Sequence, residues 1–205
     1  EIAQQTMLFT RRGTERIIRF AFELARARGR KKVTLVDKAN ADRGQDIWTR
    51  IFAKVAKEYP DVATDHAYID AACMWMIKNP EWFDVAVTTN LFGDIITDLG
   101  AMLIGGRGIA ASGNIHPGKV SMFEGIHGSA PKYKGTDKAS PLATILAMGL
   151  MLDYARGAGA SEFESLVATS KTTGVAQVVP GYDDILTAAG LDVCEDFEPI
   201  EDIHA

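Results

Sequence analysis

From Thr14 to Arg28 the apolar residues Ile17, Phe20, Ala21, Leu24 and Ala25 recur at helical spacing, with Thr14 placed to cap the first turn. Lys32-Val-Thr-Leu-Val36 is a short run of β-formers and predicts a strand. Asp46 to Tyr59 returns to the helical period, with Trp48, Ile51, Phe52, Val55 and Tyr59 on one side and Pro60 as the stop. Val62 to Tyr68 reads as extended, Asp70 to Lys78 as a helix halted by Asn79-Pro80, and Phe83 to Val87 as a buried strand. A further helix is expected from about Leu91. Strands alternating with helices predict an α/β fold, a mixed parallel/antiparallel sheet with flanking helices.

Beyond Leu103 the pattern loosens. Gly105-Gly-Arg-Gly108, Ser112 to Gly118 and His127 to Gly135 are glycine-rich loop chemistry around a short apolar run, Val120–Phe123. Ser140 then Pro141 introduce a Leu-, Ile- and Met-rich helix from Leu142 to Tyr154, expected to be buried and too short to span a bilayer. From Gly157 onward the chain carries a net charge of −9, which leaves +4 on the rest. Ser161-Glu-Phe-Glu164 matches a capping box, while Gly190 to Ala205 shows weak patterning.

The 205 residues, 47% of them hydrophobic, suffice for a substantial core without staples. A net charge of −5 argues against nucleic acid or a membrane surface as the main partner. Cys73 and Cys194 are far apart and lack ligand spacing, so buried free thiols in a cytoplasmic setting are expected. The chain opens at Glu1 without Met, which suggests a fragment, a processed chain or an incomplete one.

The most pointed chemistry lies in Asn90-Leu-Phe-Gly-Asp-Ile-Ile-Thr-Asp98. In a helix, Asp94 and Asp98 project from one face, one turn apart, at a cost of roughly 0.2–0.5 kcal/mol for like charges. A hard cation such as Mg2+ or Mn2+ would turn that cost into a binding site. For the spacing taken alone, a solvated acidic face is the better reading. Lys38 follows a strand end, where open α/β sheets place ligands, though a surface lysine satisfies the same pattern. Asp70 suits a helix N-cap. His127-Gly128-Ser129 could cradle an anion or ribose with backbone N–H groups. His66 and His116 read as surface or capping histidines.

Taken together and in order, these segments resemble the β-decarboxylating dehydrogenases, the family of isocitrate, isopropylmalate, homoisocitrate and tartrate/D-malate dehydrogenases. The matching residues are Glu15-Arg-Ile-Ile-Arg19, Ala21-Phe-Glu23, Val36-Asp-Lys-Ala-Asn40, Glu58-Tyr-Pro-Asp61, Tyr68-Ile-Asp70, Phe83-Asp84, Asn90 to Asp98, Phe123-Glu124 and His127 to Pro131. The likeness runs from about Phe9 to Tyr154. It implies an isopropylmalate dehydrogenase-like but incomplete fold. Residues 1–98 would form part of a dimerising, substrate- and metal-binding domain, and residues 99–205 part of a cofactor domain with an atypical acidic tail. It also implies a homodimer in which Asp94 and Asp98 hold Mg2+ or Mn2+ with a third carboxylate, Asp70, from the other subunit. Lys38 resembles the catalytic lysine, also acting across the dimer. Asn40 resembles a residue beside substrate and nicotinamide. Glu124, His127, Gly128, Ser129, Ala130, Lys132, Tyr133 and Ser140 fall in the cofactor-binding segments. The implied reaction is oxidative decarboxylation of a 2-hydroxy dicarboxylic acid, with 3-isopropylmalate foremost and tartrate, D-malate or isocitrate as alternatives.

Several positions depart from that pattern. The family's N-terminal half, with its substrate-gripping arginines, has no counterpart here. Phe9 stands where the general-acid tyrosine is usual, Gly125 where a proline follows the glutamate, and Ser140 where an asparagine precedes the proline. These departures keep open a non-catalytic subunit or a truncated product. Lys132-Tyr133 resembles the NADP-specific isocitrate enzymes, yet no arginine follows Arg156 to hold a 2′-phosphate, so NAD is favoured narrowly over NADP.

Overall fold

In the computed structural model, residues 1–116 and 120–157 are described. The expected Ser161–Glu164 helix, Cys194 and the acidic tail lie outside them. The chain divides into two units, Glu1–Leu99 and Gly100–Ala205, each treated by itself.

In the first unit, helix α1 (Arg11–Arg28) begins one turn earlier than its apolar pattern suggests. Its cap is Thr10, in an extended conformation, whose Oγ1 accepts from the Gly13 N–H at 3.2 Å. Thr14 instead faces inward and is buried. The apolar period starts late because the first turn, Arg11 to Gly13, lies outside the core. Gly29 ends the helix in the left-handed region, φ 81°, donating its N–H to the Arg26 carbonyl. Helix α2 (Asp46–Ala56), preceded by a 3-10 turn over Arg43–Gln45, stops before Tyr59. Tyr59 still belongs to the core, since turn bonds from Glu58 and Tyr59 N–H groups carry the helical rotation past Ala56.

Strands β1 (Lys32–Asp37), β2 (Ala63–Tyr68) and β3 (Val85–Thr88) form a sheet of order β2-β1-β3, parallel throughout. The central strand β1 is buried on both faces. Val33 and Leu35 join Ile18, Phe22, Trp48, Phe52 and Val55 of α1 and α2 on one side. Val36 packs on the other against Ala72 of helix α3 (Ile69–Lys78) and Ile96 of helix α4 (Asn90–Leu103). That alternation is the strand period of two, and it makes the unit a helix–sheet–helix sandwich. Asp70 is not the N-cap of α3; Tyr68 holds that place without a side-chain bond, and Asp70 sits in the first turn. Cys73 is only partly buried, at the margin of the second core cluster, because its helix is covered on one side alone.

The second unit contains the antiparallel pair β4 (Ala111–Asn114) and β5 (Met122–Gly125), with helix α5 (Leu142–Gly157) against them. Parallel and antiparallel pairing are thus both present, in separate sheets. The expectation that α5 is buried is corrected here. It buries Ala143, Ala147 and Gly149, while Met148 and Met151 are exposed. Composition shows how much apolar surface a helix carries, not what covers it. Among the described residues no helix is long and apolar enough to cross a membrane.

Candidate metal and catalytic site

The residues expected to carry metal and proton chemistry, Lys38, Asn40, Asp70, Asp94 and Asp98, all follow the carboxyl ends of the three parallel strands. β1 runs into Lys38 and Asn40, β2 into Asp70, and β3 through Asn90 into the helix that bears Asp94 and Asp98. In open parallel sheets this is the edge where ligands bind, because the loops and helix N-termini of neighbouring βα units converge there.

Lys38 Nζ lies 2.6 Å from Asp70 Oδ1. The ammonium, together with the residue's own backbone N–H, holds the Asp70 carboxyl below the usual aspartate range. The lysine is the more covered partner, its side chain 27% exposed against 67% for the aspartate. Asn40 is exposed in the turn that follows.

Asp94 and Asp98 are both exposed on α4, four residues apart, while Ile96 between them faces the core. Thr97 turns its hydroxyl back to the Gly93 and Asp94 carbonyls, at 2.7 and 3.0 Å. The donor set fits a hard divalent cation: two carboxylates on one open helical face. Among the described residues, however, no three His, Cys, Asp or Glu side chains come together as a ligand group. Asp70 therefore does not complete a site with Asp94 and Asp98 inside one protomer.

Phe9 is partly buried, packing edge-on against Trp48 with ring centroids 6.2 Å apart. It also lies 3.8 Å from where a Cβ on Gly44 would stand, so it abuts the turn that follows Lys38. Its ring has no proton to give.

The contacts of three polar side chains at this edge were not legible in the sequence. Asp37 is fully buried, its Oδ1 accepting from the Ala39 N–H and its Oδ2 lying 3.0 Å from His66 Nε2. His66 is a surface histidine as expected, its side chain 40% exposed, and it also ties edge strand β2 to the end of β1. Gln45, 1% exposed, accepts from the Lys38 N–H at 2.8 Å. The available signal was a carboxylate closing an apolar run, but nothing in a linear pattern says that a histidine 29 residues on would meet it.

In the second unit Glu124 lies exposed on β5, and His127, Gly128 and Ser129 form an exposed loop. His127 Nδ1 is 3.0 Å from the Gly128 carbonyl. Ala130 adopts a left-handed conformation, φ 42°, before the 3-10 turn Pro131–Tyr133. Such a backbone is uncommon for a residue with a Cβ and is concentrated at functional loops. Lys132 lies over the Tyr133 ring, 5.0 Å from its centroid. Ser140 Oγ accepts from the Leu142 N–H at 3.3 Å, the first amide of α5, from a position one residue ahead of Pro141. Gly125 has a packing reason: a Cβ there would stand 2.8 Å from His127 Nε2 and 2.9 Å from Ala143 Cβ.

The family profile described as isocitrate/isopropylmalate dehydrogenase matches residues 1–180. A 3-isopropylmalate dehydrogenase of Streptomyces coelicolor is 52% identical over 157 residues, covering 75% of this chain and 45% of that protein. One from Frankia casuarinae is 47% identical over 174 residues, covering 83% and 51%. Among solved structures, isocitrate dehydrogenase from Methylococcus capsulatus superposes with a TM-score of 0.71 at 47% identity, over 74% of this chain and 45% of the other. The chain spans about half the length of the curated relatives it matches. It belongs to the isocitrate/isopropylmalate dehydrogenase family.

Proposed function

We propose that this chain supplies the metal-binding and proton-transfer half of an NAD(P)-linked oxidative decarboxylase acting on a 2-hydroxy dicarboxylic acid, with 3-isopropylmalate the foremost substrate. The observation that carries this reading is the arrival of Lys38, Asp70 and the Asp94/Asp98 pair at one edge of one parallel sheet. The names of the relatives support the substrate. Asp94 and Asp98 would hold Mg2+ or Mn2+. When bound, that ion supplies positive charge against the substrate's 2-hydroxyl and carboxylate oxygens.

Lys38 would assist deprotonation of that hydroxyl, taking up the proton as a neutral amine once its own ammonium proton has been released. Asp70 keeps its ammonium directed until substrate arrives. Because Asp70 stands apart from the Asp94/Asp98 pair within the protomer, the reading requires a homodimer in which Lys38 and Asp70 serve the partner's metal site. Exposed apolar side chains support such an association: Met74 and Ile77 on α3, Leu91 and Ile95 on α4. Asn40 would flank the nicotinamide. The His127–Ala130 loop, with Glu124, Lys132, Tyr133 and Ser140, would serve the adenosine half, with NAD favoured narrowly. A cytoplasmic location goes with this reading.

The test is turnover of isopropylmalate, isocitrate, D-malate and tartrate by the full-length gene product, with Mg2+ or Mn2+ and either nicotinamide cofactor. A folded protein that oxidises none of them overturns the assignment. Phe9 favours a second reading, a subunit of the same fold that has lost decarboxylation. Phe9→Tyr tests it: a large gain in decarboxylation marks an impaired enzyme, and no response means that Phe9 does not occupy the general-acid position, which removes the ground for this second reading.

A further inference from the structure

We propose that Gln45, tied back by Asp42, is a positioning residue for Lys38, an inference that rests on the proton-transfer role just given to that lysine. The β1–β2 ladder ends at Asp37, paired with Tyr68, so the Lys38 N–H lies past the last strand register. Gln45 takes that N–H instead, through Oε1 at 2.8 Å. Its Nε2 donates to Asp42 Oδ2 at 3.0 Å, while Asp42 Oδ1 accepts from the Gly44 N–H at 2.9 Å. The Lys38 carbonyl accepts from the Ala41 and Asp42 N–H groups at 2.9 and 2.8 Å. Both main-chain polar groups of Lys38 are therefore held by the loop that follows it.

A fully buried glutamine amide is costly unless both of its ends are satisfied, and here both are. The consequence is geometric. The lysine side chain has four rotatable bonds, so a small tilt at its Cα displaces Nζ by much more. The frame sets where the ammonium reaches, and it does so without touching substrate.

The frame can be rebuilt with its chemistry exchanged. Gln45→Met removes both bonds with little change of shape. Asp42→Asn with Gln45→Glu swaps acid and amide at unchanged net charge. The carboxylate then at position 45 accepts from the Lys38 N–H, and the amide at position 42 donates to that carboxylate. In the full-length protein, with kcat, KM and exchange of the Lys38 amide hydrogen measured for each, we expect Gln45→Met to lower kcat at least about tenfold. KM for the hydroxy acid should move little, and the Lys38 amide should lose its protection. The double variant should recover both kcat and protection.

An active wild type whose Gln45→Met variant keeps its kcat overturns this inference and leaves the enzyme reading standing. A double variant that regains protection but not kcat overturns it equally. A wild type without turnover overturns both. Should Gln45→Met fail to fold, Asp42→Ala decides, since its position is partly exposed: an unchanged kcat there overturns the proposal.

Discussion

Asp94 and Asp98 show what a single carboxylate pair costs and what it permits. Exposed on one face of α4 one turn apart, they are like charges at a mildly unfavourable spacing, a cost that a bridging cation would remove. Asp94→Asn combined with Asp98→Asn should weaken Mn2+ binding by at least about tenfold, read by calorimetry on the full-length protein, because hard ions require ionised oxygen ligands. Unchanged affinity would dismiss the pair as a ligand set.

A different residue, Arg19, gathers Glu15 at 2.9 Å and Glu58 at 2.8 Å, and its guanidinium holds both carboxyls below the usual glutamate range. A depressed folded pKa contributes stability that is present above the unfolded value and lost as pH falls through the folded one. The gap in Tm between wild type and Arg19→Met should therefore be constant near neutrality and close below about pH 4.5, the ordinary glutamate value. A gap that persists at lower pH would assign the effect to packing of the arginine stem instead. Asp37 and His66 make the complementary case. Removing the imidazole with His66→Ala leaves a fully buried carboxylate one donor short, and about 1–3 kcal/mol of stability should go with it in denaturant unfolding.

At the scale of elements, starts and stops follow local hydrogen bonds more closely than apolar patterns. The helix periods of α1 and α2 were legible because each presents a continuous stripe to the sheet. Their ends were not: Thr10 caps α1 where Thr14 was expected, and Tyr59 keeps the stripe going after α2 has ended. Thr10→Ala should cost about 1 kcal/mol of stability by thermal melting, the worth of a side-chain cap. Gly125 is governed by a close approach between elements. A methyl group at this position would meet Ala143 of α5 and the His127 ring, so Gly125→Ala should destabilise the second unit by about 1–3 kcal/mol, seen as faster amide exchange in β4, β5 and α5. A neutral outcome would mean that the helix can withdraw from the strand.

For the molecule as a whole, the proposed site would be complete only in a dimer. Leu91 and Ile95 stand one turn apart and exposed on α4, the helix that bears the carboxylate pair. Leu91→Glu should shift the full-length protein from dimer to monomer in light scattering and abolish turnover together with it. Monomer with full activity would remove the shared-site arrangement.

The sequence by itself determined the α/β alternation, the two exposed aspartates at helical spacing, the lysine at a strand end and the family to which the chain belongs. Those features are periodic or contiguous, and a short window contains all that is needed to see them. Only the tertiary structure decided which strands are neighbours, that Lys38 meets Asp70, that Asp37 is satisfied by His66, and that Gln45 closes over the Lys38 amide. Each of these joins residues brought together by the sheet order or by a turn, and a hydrogen bond records that proximity where a hydropathy pattern does not.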